Sequence, residues 1–190
     1  MNGQRWDADS PPLEAYSHVT NPERFASLHD VAAELMDRLE LEFDVERTEG
    51  GGLDTELEDG CKLARPSVTL VPRDVGAARI VIAFSAFPGL RVRFGRWCTR
   101  AFPTCGCDAC DETAESETER LRSLIDNLTA GCFREAIRIP ADGPAWQESE
   151  FWSLAARCAQ ESQLDRARAR QLVAARDRSS YDWGPWPRRR

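Results

Sequence analysis

The sequence predicts an α+β fold with a mainly antiparallel β-sheet packed by about three helices. Apolar residues recur at helical spacing over residues 22–42 and again over 113–130. Between and after these stretches lie short alternating or continuous apolar runs, and the turns inside them are of the brief kind that joins antiparallel strands. The expected order is helix, three to four strands, helix, two strands, helix, tail. At 190 residues this suits a single domain spanning 1–190 with one substantial core.

Residues 1–20 hold Pro11 and Pro12 and no clear period, so an extended leader is expected. Asn21, Pro22 and Glu23 then make a helix start. Phe25, Leu28, Ala32, Leu35, Leu39 and Phe43 form the core-facing stripe of a helix over 22–42. A short strand is expected over 43–48. The glycines at 50, 51 and 52 stand among acids, with no lysine in a phosphate-loop position, which predicts a flexible loop over 49–61 rather than a nucleotide cradle.

The strand block begins with the alternating stretch 66–71. Residues 79–87 are almost continuously apolar, as in a strand buried on both faces. Pro88-Gly89 has the residue order of a type II turn, and 90–97 alternates, so a hairpin is expected there. Residues 98–111 form a cysteine loop. Helix 113–130 carries acids at its N-terminal end, a stripe of Leu121, Leu124, Ile125 and Leu128, and Gly131 as its stop. Strands are expected over 133–139 and 146–154, and a third helix over 163–176 capped by Ser162 with Asp165. An aromatic, arginine-rich tail over 177–190 closes the chain.

Charge narrows the partners. The net charge is −7, and the basic residues are 24 Arg with Lys62 alone for lysine. Residues 1–60 balance at −12 and residues 157–190 at +5, which suggests that the basic end meets the acidic beginning. An acidic chain opposes phosphate-driven nucleic-acid binding. No run reaches the ~18–20 apolar residues of a membrane span, and the polar start lacks the apolar core of a signal peptide. A protein without a membrane or nucleic-acid partner, in the cytoplasm, is expected.

The cysteines carry the most distinctive chemistry. Of seven, three stand in Cys105-Gly106-Cys107-Asp108-Ala109-Cys110. Cytoplasmic thiols stay reduced, so clustering there points to metal or redox chemistry before structural disulfides. Zinc takes four tetrahedral thiolate or imidazole ligands, and the gap between Cys107 and Cys110 is that of a zinc knuckle. Gly106 lets the backbone turn sharply enough to bring Cys105 to the same point, and the helix that follows favours thiolates. Cys98 is the nearest fourth ligand; Cys61, Cys132, His29 and Asp108 are the substitutes. The expected metal site is therefore Cys98, Cys105, Cys107 and Cys110 around zinc, against free buried thiols or a redox pair.

Other residues have plainer readings. His18 can serve a site with Tyr16 or merely anchor the leader; His29 reads as a helix residue. Arg91, Arg93, Arg96 and Arg100 make a basic strand face, read as solvated, with an anion site as the alternative. Most of the six tryptophans read as packing residues. No nucleophile elbow, P-loop, HExxH or dinucleotide fingerprint occurs, so no catalytic or organic-cofactor residues are assigned.

Four stretches carry a family resemblance: residues 16–25 (YSHVTNPERF), 83–97 (AFSAFPGLRVRFGRW), 105–112 (CGCDACDE) and 183–188 (WGPWPR). On them the chain resembles an uncharacterised actinobacterial family known only as a domain of unknown function. That resemblance implies one domain and carries no activity. The expected function is a non-enzymatic binding or adaptor module, for a protein or small-molecule partner, with a structural zinc. A thiol-based redox sensor and a small-molecule enzyme with a site near His18 are the alternatives.

Overall fold

A computed structural model describes residues 10–50, 62–175 and 178–190. The glycine-rich acidic segment expected as a loop, and Cys61 with it, lies outside the described residues. Two one-turn 3₁₀ helices, Leu13–Tyr16 and Pro22–Phe25, precede helix α1 (Ser27–Glu42). Phe25, Leu28, Ala32, Leu35, Met36 and Leu39 are buried, so the predicted stripe holds, although its first turn is 3₁₀. Leader residues 13–16 are thus helical rather than extended.

Five strands follow as an antiparallel meander: β1 (Val45–Glu49), β2 (Leu63–Pro72), β3 (Ile80–Ser85), β4 (Gly89–Phe94) and β5 (Cys98–Phe102). Every residue of β3 is buried, as its unbroken apolar run predicts. The β3–β4 connection is longer than a two-residue turn: Ser85 pairs with Gly89, and the loop is Ala86–Pro88. Gly89 is needed because a Cβ there would lie 2.6 Å from the Phe102 carbonyl oxygen of β5. Cys98 opens a strand instead of a loop, since Gly95-Arg96-Trp97 reverses the chain and Phe94 pairs with Cys98.

Helix α2 (Ala114–Thr129) starts at a Thr113–Ser116 capping box. A second antiparallel sheet has the order β8-β7-β6-β9, from β6 (Phe133–Arg138), β7 (Ala145–Trp152), β8 (Arg157–Leu164) and β9 (Ser180–Trp183). Helix α3 (Arg166–Ala174) lies between β8 and β9, with Asp165 as its N-cap. The fold class is therefore α+β with mainly antiparallel strands, but β8 stands where the sequence suggested the approach to the third helix, and β9 lies in the expected tail.

One apolar core contains α1, α2, the inner face of the first sheet and the Phe133 and Phe151 rings of the second sheet. A smaller cluster around Trp97, Ile137, Ala145 and Ala169 lies under α3. Glu135 joins the two sheets. Its buried carboxylate accepts the N–H groups of Arg96, Trp97 and Cys98 at 2.7, 2.8 and 3.1 Å, and the Trp183 indole N–H at 3.0 Å. Burial raises its pKa, opposed by these four donors. Gly95, at φ +66°, makes the approach possible, since a Cβ there would stand 2.3 Å from Glu135 Oε1.

The basic end does reach the acidic first sixty residues. Arg188 pairs with Glu42 at 2.5 Å, and the Arg189 N–H donates to the Glu42 carbonyl. Between them the Asp44 N–H donates to Pro187 O at 2.8 Å, and the buried Trp186 ring meets Phe43 edge-to-face at 5.5 Å. Among the described residues no helix is long and apolar enough to cross a membrane.

Candidate metal centre

The loop between β5 and α2 is short of regular structure, so its polar backbone must be satisfied by side chains. Glu112 supplies three acceptances, from the N–H groups of Thr104 (2.9 Å), Cys105 (3.1 Å) and Gly106 (2.9 Å). Burial acts to raise the Glu112 pKa, but these backbone donors outweigh it and hold the carboxyl below its usual range. From α1's side, Arg24 donates to the carbonyls of Gly106 (3.1 Å) and Cys107 (3.2 Å). Gly106 takes φ +80°, where a side chain would also press on Phe87 and Pro103 at 3.1 Å.

The leader completes the frame. Asp108 donates its N–H to His18 O (2.8 Å), and Ala109 donates to Ala15 O (3.1 Å). The Asp108 carboxylate accepts the Thr20 N–H and hydroxyl, both at 3.1 Å, and meets Arg24 at 3.4 Å. Ala15, Cys107, Ala109 and Cys110 form a small apolar patch between leader and loop.

Within this frame the sulfurs of Cys105, Cys107 and Cys110 lie within 4.8 Å of one another, with Cys107 and Cys110 at 3.5 Å. Thiolates on one tetrahedral zinc stand about 3.8 Å apart, given Zn–S bonds near 2.3 Å. The spacing fits such an ion without unfolding the loop. Cys105 is exposed, Cys107 buried and Cys110 half-buried, so one flank of the trio opens to solvent. Hydrogen bonding from Cys105, and then from Cys110, lowers the Cys107 pKa, while burial pushes Cys110 up to about 12. The thiolate is thus favoured at Cys107 relative to its neighbour Cys110.

Cys98 is not in this group. It opens β5 inside the main core, beside Ser149 and Cys158, and burial raises its thiol to about 11. The quartet expected from spacing fails because residues 98–102 run as a strand, which carries Cys98 into the interior and away from the loop's turn. The substitutes are committed elsewhere: His29 to Gly89 O (2.9 Å), Asp108 to Thr20 and Arg24, and Cys132 to the α2 terminus at Ala130 O. His18 bonds Glu14 O and holds Asp108 through its own carbonyl, an anchoring role.

Arg24 and Glu112 hold the loop in shape, yet the sequence marks Arg24 only within the resemblance stretch 16–25, and Glu112 only within 105–112 and as charge at a helix N-terminus. Their spacing from the cysteines, 81 and 2 residues at the nearest, carries no periodic signal. Glu112→Ala should destabilise the fold by about 1–2 kcal/mol, since three backbone donors lose a charged acceptor at a partly solvated site. Hydrogen exchange should then show the Thr104, Cys105 and Gly106 amides losing protection while α2 keeps its own; unchanged protection would refute the role.

No curated protein and no solved structure matches this chain. A family model does, over residues 2–190. It covers the leader, the cysteine loop and the closing tryptophans alike, and the chain belongs to DUF6226, a family of unknown function.

Proposed function

We propose that this chain is a non-enzymatic binding module in which Cys105, Cys107 and Cys110 hold a thiolate-binding metal ion that clamps the loop between β5 and α2. The convergence of three sulfurs within 4.8 Å, inside a loop fixed by Glu112 and Arg24, carries the reading. Zinc is the best match, because it favours sulfur ligands, has no redox chemistry and accepts a fourth donor from solvent or another side chain. A cytoplasmic setting, where thiols stay reduced, agrees with it. Binding would release protons from the thiols and add directly to folding stability.

Protein purified without added metal should hold about one zinc per chain, and a chelator should lower its melting temperature. Cys105→Ser, Cys107→Ser and Cys110→Ser should each reduce zinc below about 0.2 per chain, while Cys98→Ser should retain it. Wild-type protein with less than that amount and with all described thiols reactive would sink the proposal.

The asymmetry between Cys107 and Cys110 favours one second reading, a reversible disulfide between them. Mild oxidation of metal-free protein should then remove two hydrogens' mass from the 105–110 peptide, reversibly. A metal clamp alone predicts no such species while zinc is bound.

A further inference from the structure

The basic strand face is not a solvated one. Arg93 is buried and Arg91, Arg96 and Arg100 are half-buried, and the four line one cleft of about 280 Å³ with Arg168 of α3. The cleft opens where β4 and β5 of the first sheet face β7, β8 and α3 of the second. No aspartate or glutamate lines it among the described residues.

Several arginines elsewhere in this acidic chain have carboxylate partners. Arg47 has Asp37, Arg134 and Arg157 share Glu150, and Arg188 has Glu42. The cleft differs. Arg91 and Arg168 have no side-chain partner among the described residues, and Arg100 donates only to the Ser149 hydroxyl at 3.0 Å. Arg96 has its Nε buried with no acceptor, and its guanidinium lies 5.7 Å from the Tyr181 ring. Arg93 donates to Thr99 Oγ1 at 3.4 Å. Like charges gathered in a partly desolvated space repel, and an orphaned guanidinium N–H is costly, so the arrangement calls for an anion.

Ligand chemistry follows from the walls. Guanidinium forks match the oxygens of phosphate in pairs, and the four of Arg91, Arg96, Arg100 and Arg168 exceed the need of a single monoanion. Ser149, Ser162 and Gln160 add neutral polar groups, whereas Trp97 and Leu172 offer an apolar wall for an organic part. This accounts for the polar Gln160 and Ser162 of β8, which line the cleft.

We infer that this cleft is a binding site for a small molecule carrying a diphosphate or two phosphate groups. The inference rests on the binding-module half of the function proposed above and names its ligand class; it does not involve the metal, since none of the cleft residues belongs to the cysteine loop.

Calorimetric titration with pyrophosphate in low salt tests it on the full chain. One saturable site per chain is expected, with a dissociation constant below about 100 μM that weakens as salt rises. Arg91→Gln with Arg168→Gln should weaken binding at least about tenfold with the melting temperature within about 2 °C, because neither side chain has an internal partner. Arg170→Gln, which repeats on α3 but outside the cleft the single charge change of Arg168→Gln, should leave binding within about twofold.

Absence of saturable binding would overturn the inference. So would equal weakening by Arg170→Gln, citrate binding as tightly as pyrophosphate, or binding to duplex DNA with a stoichiometry that grows with its length. Zinc content measured on the same samples keeps the two proposals apart: loss of pyrophosphate binding with zinc retained refutes the cleft alone, and the reverse refutes the clamp alone.

Discussion

Glu135→Gln should lower the melting temperature by about 6–12 °C, corresponding to about 3 kcal/mol in a chain of this size. The reason is the direction of the hydrogen bonds. Oε1 accepts from the Arg96 N–H and the Trp183 indole, and Oε2 accepts from the Trp97 and Cys98 N–H groups. A glutamine has one acceptor oxygen. Whichever way its amide is turned, two buried donors face an NH₂ group, and each orphaned donor costs about 1–3 kcal/mol.

The substitution also removes charge from a site where burial disfavours it, which offsets part of the loss but supplies no acceptor. Trp183→Phe should cost less, about 1 kcal/mol from the lost bond. In the Glu135→Gln background it should cost less still, because it deletes one of the orphaned donors. A melting temperature within about 2 °C of wild type for Glu135→Gln would show that these bonds do not hold the sheets together.

Trp186→Ala should destabilise by about 3–5 kcal/mol, seen as a lower urea midpoint with the slope unchanged. The indole is 4% exposed, meets Phe43 edge-to-face and donates to the Ala78 carbonyl at 2.8 Å. Truncation empties that space and orphans the carbonyl together. Trp186→Phe keeps most of the ring and should cost about 1–2 kcal/mol, giving a measurable arm if the alanine variant fails to fold. A loss below about 1 kcal/mol for alanine would mean that the closing segment only rests on the core.

What the sequence discloses follows how each element is stabilised. Helix α2 is legible to within a residue because its cap, its acidic first turn and its apolar stripe are all local. Strand β3 is legible because burial on both faces leaves only its last residue, Ser85, polar. Strand β8 is hidden for the opposite reason: its inward face lines a cleft instead of a core, so Gln160 and Ser162 break the alternation that marks a strand. β9 is too short to show a period. Proximity in sequence points Cys98 to the metal, and only the β4–β5 pairing reveals that its side chain belongs to the interior. Three of four expected ligands meet; the groups that hold them, Arg24 and Glu112, act through backbone contacts that no spacing rule encodes.

The contact between Phe43 and Trp186 also sets a clock. Their positions are 143 residues apart, so at about 5–20 residues per second Phe43, just after the helix, waits roughly 7–30 s during synthesis for the ring that covers it. For that interval the apolar face of α1 has only part of its native cover. Until its last aromatic residues emerge, a nascent chain therefore keeps apolar surface open to water.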